Sequence, residues 1–318
     1  MILTKCPVRI GIAGGSTDID PFIEKHGRGS VINFPINVYS HIFLHKDVLG
    51  YNTIKNKYTI NYSIREEVST IGEIQNDVVN AVLGYFDVVP CWVTMTSDVF
   101  AVGSGLALSS SYMNSLVKAV SLLKGIEMSN YEVSRLAMTL ERQFNPLLGY
   151  QDTYGCGMGS LKRIDIERGK MPKITYLNTE LFYNFDMYLV YTNVNRSSTN
   201  VLKTISVKDD SLLHLVDDME ECIQNSLFDR FIKTIEEGWR LKKKTSPMII
   251  QNEVVKNIDE TLSKNPNVLC HRLSGAGNGG FFMVFAKKGL NPTDIHSKLH
   301  VKKVSMNHEG VTGVKHES

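Results

Sequence analysis

Two carboxylates that flank a short loop, Glu141 and Asp152, are of the residue type that phosphoryl transfer requires. Glu141 lies near the end of a predicted helix, and the intervening RQFNPLLGYQ, with its proline and glycine, could return Asp152 toward that helix. In such a reaction one carboxylate binds Mg²⁺ and another accepts the proton of the substrate hydroxyl. The alternative is structural: Glu141 pairs with Arg142 or a lysine at the surface, and Asp152 caps a turn. Spacing alone favours the structural interpretation.

The first of three glycine-rich stretches is GIAGGSTDID, residues 11–20, which forms a polar turn after a predicted strand. Asp18 and Asp20 could accept hydrogen bonds from hydroxyl groups, and Arg9 on the same strand could face an anion. The alternative is a tight turn with capping acids, and for this stretch alone turn chemistry favours that alternative.

The second stretch, GSGLALSSS at 103–111, precedes a predicted helix. Small residues let backbone N–H groups approach an anion, and the helix directs its positive N-terminus at the same group. Its serines could donate hydrogen bonds or bind Mg²⁺. A well-capped helix after a flexible loop explains the pattern equally well. The stretch has neither the GK[ST] of a P-loop nor the GxGxxG spacing of a dinucleotide site.

The third stretch, SGAGNGG, contains Gly275, Gly277, Gly279 and Gly280 just before a hydrophobic run. The simplest interpretation is a turn between two strands. One turn does not need so many glycines, so the pattern also indicates close approach of a ligand or of another loop.

The composition is that of an ordinary globular protein and excludes several classes of function. The chain has 318 residues, 42% of them hydrophobic and 21% charged, which predicts one to three domains. A net charge of +2 argues against a nucleic-acid-binding protein. Five scattered cysteines without a CxxC pair make disulfides or zinc unexpected and favour a reducing compartment. Without a long apolar run the sequence predicts no membrane span, and we expect a cytoplasmic protein.

Hairpins and helices alternate without strict βαβ order, which favours an α+β architecture with two lobes. The charged stretch 168–173 is a candidate hinge between them. The hydrophobic patterns predict the following elements: strands at 8–14, 29–46, 58–64, 91–99 and 187–193; helices at 73–86, 109–125 (capped by serines, ended by Gly125) and 129–144; a glycine-rich turn and hairpin over 154–177; mostly helix to 265; and a final strand, glycine loop and strand.

In their order along the chain, these motifs resemble those of the GHMP small-molecule kinases. CPVRIGIAGGSTDIDPF is similar to the first motif in its heptose-kinase form, and GSGLALSSS and SGAGNGGF are similar to the second and third. ERQFNPLLGYQDTYGCGMGSL resembles the heptose-kinase segment that carries the catalytic aspartate, and other segments resemble bacterial fucokinase-like proteins. The resemblance extends over nearly the whole chain.

The resemblance implies a two-lobed fold, with a ribosomal-S5-domain-2-like, ATP-binding domain over 1–170 and a ferredoxin-like domain over 171–318. It implies an ATP- and Mg²⁺-dependent sugar kinase, working as a monomer or homodimer, that phosphorylates the anomeric hydroxyl of a heptose 7-phosphate. The alternatives are a kinase for fucose or another hexose, and an inactive GHMP-like protein that binds a ligand.

The resemblance also implies a role for each motif. Asp152 would be the general base, Arg9 would stabilise negative charge, and Ser109 with Glu141 would hold Mg²⁺. Residues 275–279 would close over the site of phosphoryl transfer. The remaining assignments are to the ATP phosphates for Gly103, Ser104, Gly105, Leu106, Ala107, Ser109 and Ser110, to the sugar for Gly15, Ser16, Thr17, Asp18, Gly275, Ala276 and Gly277, and to a substrate phosphate for Arg196, Lys242, Lys243 and Lys244.

The second motif departs from the GLGSSS usual in this subgroup, because it reads GLALSS. Ala107 can replace glycine there if its backbone does not need a positive φ. Leu108 removes a hydroxyl that could contact phosphate. Both changes bear on ATP affinity and on nucleotide preference.

Overall fold

The computed structural model describes residues 1–46, 55–99, 103–194 and 210–316. Within these ranges the strands form two sheets. The larger sheet has the order β12-β1-β2-β5-β3-β4, and β6 pairs with β2 and with β7. Its strands are β1 (Ile2–Ala13), β2 (Arg28–His45), β3 (Tyr58–Asn61), β4 (Arg65–Val68), β5 (Trp92–Ser97), β6 (Lys162–Glu167), β7 (Lys173–Tyr176) and β12 (Thr312–Lys315).

The long strand β2 pairs with two further strands at different parts of its length. Its first part, 28–33, pairs with β6, and its last part, 40–45, pairs with β5. The smaller sheet has four strands in the order β11-β8-β10-β9. They are β8 (Asp186–Tyr191), β9 (Val268–Leu273), β10 (Phe281–Ala286) and β11 (Val301–Val304).

Helices cover the sheets and end where the local sequence requires. Ser129 caps the start of the helix Asn130–Glu141, and its side chain forms a capping box with Glu132. Gly125, with φ 70°, caps the end of the preceding helix, Leu108–Lys124. The helices are α1 (Asp20–His26), α2 (Asp77–Phe86), α3 (Leu108–Lys124), α4 (Asn130–Glu141), α5 (Tyr150–Gly157), α6 (Ser211–Gln224), α7 (Phe228–Thr245), α8 (Glu253–Lys264) and α9 (Pro292–Ile295), with 3₁₀ turns at Ile71–Glu73, Glu180–Asn184 and Pro247–Ile250.

The hydrophobic core joins the two sheets. One cluster combines residues of β1 and β2, such as Ile10 and Phe34, with Val216 of α6, Phe231 of α7 and Phe285 of β10. A second cluster lies between the larger sheet and helices α2, α3 and α4. The described helices include none that is both long and apolar enough to cross a bilayer.

The structure confirms the α+β fold class, and its differences from the predicted elements include the following three. YGCG, predicted as part of a turn, forms the end of helix α5. The candidate hinge at 168–173 is the turn of the β6–β7 hairpin, with Gly169 at φ 74°. No serine side chain caps α3, since Ala107 occupies its N-cap position. The division at 170/171 stays a prediction; β7 and β12 lie beyond it in sequence and belong to the larger sheet.

Candidate active site

The three glycine-rich stretches and both carboxylates of the pair meet in one cleft of ≈ 550 Å³. The cleft lies between β1, the start of α3, the start of α5 and the β9–β10 loop. The predicted residues that line it are Arg9, Gly15, Ser16, Asp18, Gly103, Ser104, Gly105, Ala107, Ser109, Ser110, Glu141, Asp152, Lys242, Gly275 and Ala276.

Asp152 and Arg9 form an ion pair at the base of the cleft. Arg9 Nε donates to Asp152 Oδ1 at 3.0 Å and Nη2 donates to the same oxygen at 2.5 Å. Burial alone would lower the pKa of Arg9, but the adjacent Asp152 carboxylate raises it. Both contacts use Oδ1, and within the described residues none reaches Oδ2. That oxygen is therefore available to a substrate hydroxyl.

Two features of helix α5 stabilise the position of Asp152. It lies in the first turn of α5, where the positive end of the helix favours a carboxylate. The carbonyl of the next residue, Thr153, accepts a 3.0 Å hydrogen bond from Asn114 Nδ2 of α3. The helix that carries Asp152 and the helix that follows the phosphate-loop candidate are thus bonded to each other.

Asp18 links the first motif to the same helix. Gln151 donates its backbone N–H to Asp18 Oδ2 at 2.9 Å and its side-chain Nε2 to Oδ1 at 3.1 Å. Burial, together with the nearby Asp152 carboxylate, raises the pKa of Asp18 to about 6. A Cβ at Gly149 would lie 2.3 Å from Asp18 Oδ2, so only glycine leaves room for this contact.

The segment from Gly103 to Ala107 wraps the front of Arg9. Arg9 Nη1 donates to the carbonyl of Gly105 at 2.9 Å, and Arg9 N donates to the carbonyl of Leu106 at 3.1 Å. The first N–H groups of α3, starting at Leu108, have no partners within the helix, and Leu108, Ser109 and Ser110 line the cleft. The arrangement can hold an anion such as a nucleotide phosphate.

Ala107 has φ 61° and ψ 42°, so its backbone takes the positive φ at which alanine was expected to be a poor replacement for glycine. The reason is the tight entry into α3, where Ala107 is the N-cap residue. Alanine adopts this conformation at a cost of about 1 kcal/mol.

Glu141 and the first serines of α3 form an oxygen-rich corner. Ser110 Oγ donates to Glu141 Oε2 at 2.7 Å, Ser109 also hydrogen-bonds the carboxylate, and the glutamate is 1% exposed. Burial raises the pKa of Glu141 to about 7. Among the described residues no three His, Cys, Asp or Glu side chains form a metal cluster. Two hard oxygen ligands that leave the other positions to phosphate and water suit Mg²⁺.

The third glycine stretch packs against the second. It is the loop of a β9–β10 hairpin, closed by a 2.9 Å hydrogen bond from Ser274 N to the carbonyl of Phe281. A Cβ at Gly280 would lie 2.3 Å from the carbonyl oxygen of Ser104, so glycine permits this approach of two loops. The prediction of close approach to another loop is confirmed.

Three of the residues assigned to the ATP phosphates or the sugar do not line the cleft: Thr17, Leu106 and Gly277. Thr17 is buried, and its hydroxyl oxygen lies 2.8 Å from the carbonyl oxygens of both Gly14 and Ser30, to either of which it can donate. The side chain of Leu106 is fully buried in the core. Gly277 faces Ile249, which a Cβ would meet at 3.0 Å. All three shape the loops around the site.

The basic run on α7 divides into three different environments. Lys242 is buried in the cleft wall and donates to the carbonyls of Leu273, at 3.5 Å, and Gly275. Lys243 pairs with Asp259 at 2.9 Å, and Lys244 is exposed. Neither lines the cleft. Arg196 lies outside the described residues.

Sequence reasoning left several residues of the cleft unassigned, and the polar ones include Gln151, Arg272 and Ser274. Gln151 directly precedes Asp152, and Arg272 lies just before the glycine loop. These positions beside predicted site residues were the available sequence signals. Ser274 opens the loop itself.

Comparison with known proteins agrees with the motifs. Residues 77–160 match the family model GHMP kinases N terminal domain. The chain is 26% identical to the D-glycero-alpha-D-manno-heptose 7-phosphate kinase of Campylobacter jejuni over 98% of both proteins. It is 26% identical to the L-fucokinase/L-fucose-1-P guanylyltransferase of Bacteroides fragilis, over 89% of this chain and 34% of that protein. The crystal structure of a D-glycero-D-manno-heptose 1-phosphate kinase from Bacteroides thetaiotaomicron superposes with TM-score 0.77 at 19% identity, covering 100% of both chains.

The chain has the fold of solved sugar and mevalonate kinases. Its residues 77–160 match the N-terminal domain of the GHMP kinases, in agreement with its motifs.

Proposed function

We propose that this enzyme transfers the γ-phosphoryl group of ATP to a hydroxyl of a sugar or sugar phosphate, with the anomeric hydroxyl of a heptose 7-phosphate as the preferred acceptor. The observation that carries the proposal is the Arg9–Asp152 pair, placed between the N-terminus of α3 and Asp18. The heptose 7-phosphate kinase of C. jejuni, similar over 98% of the chain, supports the choice of acceptor.

Each wall of the cleft has a role in this reaction. The segment 103–110 and the N-terminus of α3 bind the phosphates of ATP, and Asp18 with Gly15 and Ser16 binds sugar hydroxyls. Asp152 Oδ2 accepts the proton of the attacking hydroxyl, while Arg9 stabilises the charge on the transferred group. Ser109 and Glu141 would hold Mg²⁺, which when bound neutralises charge on the phosphate oxygens.

There are two alternatives. The first is a kinase for fucose or another hexose, which the B. fragilis relative supports. The second is an inactive GHMP-like protein that only binds ligand, which the altered GLALSS motif supports. We further propose a cytoplasmic location, since all five cysteines are buried free thiols. The monomer-or-homodimer prediction is retained.

The test is ADP release from purified protein with Mg·ATP and a panel of acceptors. The panel contains D-glycero-D-manno-heptose 7-phosphate, mannose, fucose and galactose, and the Asp152→Asn variant is the blank. We expect turnover with the heptose phosphate and none in the blank. Turnover with fucose alone would favour the hexose alternative. The kinase assignment would be contradicted if folded protein released no ADP with any acceptor and its melting temperature did not rise with millimolar Mg·ATP.

A further inference from the structure

Arg272 is a buried cation in the cleft wall that the reaction outlined above does not use. It lies on β9, two residues before the third glycine stretch, and is 6% exposed. Nη1 donates to the carbonyl of Ile12 at 2.5 Å, which anchors the guanidinium beside the first motif. Nε is buried and has no acceptor, and no carboxylate pairs with this arginine within the described residues.

The surroundings of Arg272 add positive charge. Burial, together with the positive charge of Arg9, lowers its pKa to about 10. Lys242 donates to the carbonyls on either side of Ser274, whose own hydroxyl is buried and has no partner among the described residues. Two cations and an unused hydroxyl therefore line one part of the cleft. A buried cation without a counter-ion is costly, and each unsatisfied buried group calls for a ligand or an explanation.

We propose that Arg272, Lys242 and Ser274 bind the phosphate that a sugar-phosphate substrate already carries, so that this wall selects phosphorylated sugars over free ones. A phosphate monoester supplies the missing negative charge, and a guanidinium can bind it through two parallel hydrogen bonds. This inference rests on the proposed function.

The position of Arg272 distinguishes this phosphate from the one being transferred. The nucleotide phosphates have their own donors in the segment 103–110 and in Arg9. Arg272 is instead fixed to Ile12, in the strand that leads directly into the sugar-binding residues Gly15 to Asp18. The subsite therefore lies on the acceptor side of the cleft.

The first test measures binding of inorganic phosphate by calorimetry to enzyme saturated with Mg²⁺ and the non-hydrolysable analogue AMPPNP, which fills the nucleotide phosphate positions. We expect the wild type to bind phosphate and Arg272→Gln to bind it at least ~10-fold more weakly, which corresponds to about 1.4 kcal/mol. The matched control is Arg240→Gln on α7, which removes one exposed, ion-paired charge and leaves binding unchanged.

Ser274→Ala keeps the test decisive if Arg272→Gln does not fold, because it removes only the unpartnered hydroxyl. We expect a loss of phosphate affinity of roughly threefold or more from this variant. Wild-type affinity in either folded variant, or no phosphate binding to the loaded wild type, would overturn the proposal.

The second test uses the steady-state kinetics of a sugar phosphate that the enzyme accepts. Arg272→Gln should raise the KM for that acceptor about tenfold and leave the KM for ATP and kcat within about threefold. A fall in kcat with unchanged KM would assign Arg272 to the transferred phosphoryl group and overturn the subsite. If phosphate binding depends on Arg272 but no ADP is released with any acceptor, the result counts against the kinase function alone.

Discussion

At the scale of single residues, Arg9 connects the parts of the cleft. Its backbone N–H holds the carbonyl of Leu106, and its guanidinium holds both the carbonyl of Gly105 and the carboxylate of Asp152. One buried side chain thus fixes the segment 103–107 relative to Asp152, the general base of the proposed reaction. Positioning of this kind is the main contribution that a protein makes to phosphoryl transfer.

Asp152→Asn should lower kcat at least about a hundredfold, because the amide cannot accept the proton of the substrate hydroxyl. The fold and ATP binding should be retained, since Asp152 is partly exposed and Arg9 keeps its bond to Gly105. Steady-state kinetics and thermal unfolding with and without Mg·ATP measure the two effects. The control is Asp20→Asn, which removes a carboxylate paired with Arg142 outside the cleft. A near-wild-type rate in Asp152→Asn would show that another group is the base.

Glu141→Gln should change how stability depends on pH. Since burial raises the pKa of Glu141 from 4.5 to about 7, the folded state binds more protons than the unfolded state between these values. The contribution of Glu141 to stability is therefore present at low pH and is lost as pH rises through about 7. In EDTA, the free energy of unfolding of the wild type should fall by about 2 kcal/mol more than that of the variant between pH 5 and pH 8. Parallel urea-unfolding profiles for the two proteins would contradict the shift.

At the scale of elements, the entry into α3 depends on a conformation that favours glycine. Ala107 accepts it, with φ 61°, because its side chain is small. A β-branched residue there would be a genuine outlier. The helix start is thus sensitive to the shape of residue 107 and much less to its chemistry.

We expect Ala107→Gly to change the free energy of unfolding by less than about 1 kcal/mol, since relief of the positive φ is offset by the greater freedom of glycine in the unfolded chain. Ala107→Val should destabilise by about 2 kcal/mol or more. Urea unfolding of both variants measures this difference. Equal stability of the valine and glycine variants would argue that residue 107 is not in the left-handed region.

At the scale of the whole molecule, the two halves of the sequence are joined by more than the cleft. Arg163 of β6 pairs with Asp217 at 2.8 Å and Glu220 at 2.6 Å, both on α6. From the other direction, β12 pairs antiparallel with β1, with Ile2 opposite Lys315. The larger sheet therefore contains strands from both ends of the described chain.

Removal of residues 311–318 should lower the melting temperature by several degrees and promote self-association. It deletes the strand that covers the edge of β1 and the buried Val311, and an uncovered edge is a template for pairing between molecules. Thermal unfolding and size-exclusion chromatography measure the two effects. The control is Val314→Ser, a half-exposed position where only a side chain changes, with an expected effect within about 0.5 kcal/mol. A truncated protein as stable and dispersed as this control would show that β12 is dispensable.

The sequence was most informative where local patterns set local structure. Ser129 with Glu132, and Gly125, fixed the ends of two helices, and the hydrophobic runs around SGAGNGG predicted the β9–β10 hairpin. The site was recognisable because the motifs keep their order and residue types. The positive φ of Ala107, the buried hydroxyl of Thr17 and the orientation of Gly277 depend on neighbours distant in sequence, so no local pattern could reveal them.

Arg272 shows the same limit from the functional side. The local sequence does not distinguish Arg272 from the other arginines. Only the folded chain places it against Ile12, which lies more than two hundred positions earlier in the sequence. Its unpaired Nε became apparent only when the acceptors around it could be identified.

The pairing of β1 with β12 also has a consequence for how the protein is made. As the chain leaves the ribosome, β1 and β2 emerge long before β12, the partner for the other edge of β1, which lies nearly three hundred residues later. Contacts between such distant segments form slowly, and an unpaired edge is exposed to aggregation while synthesis continues. The nascent chain is therefore expected to depend on chaperones until β12 is in place.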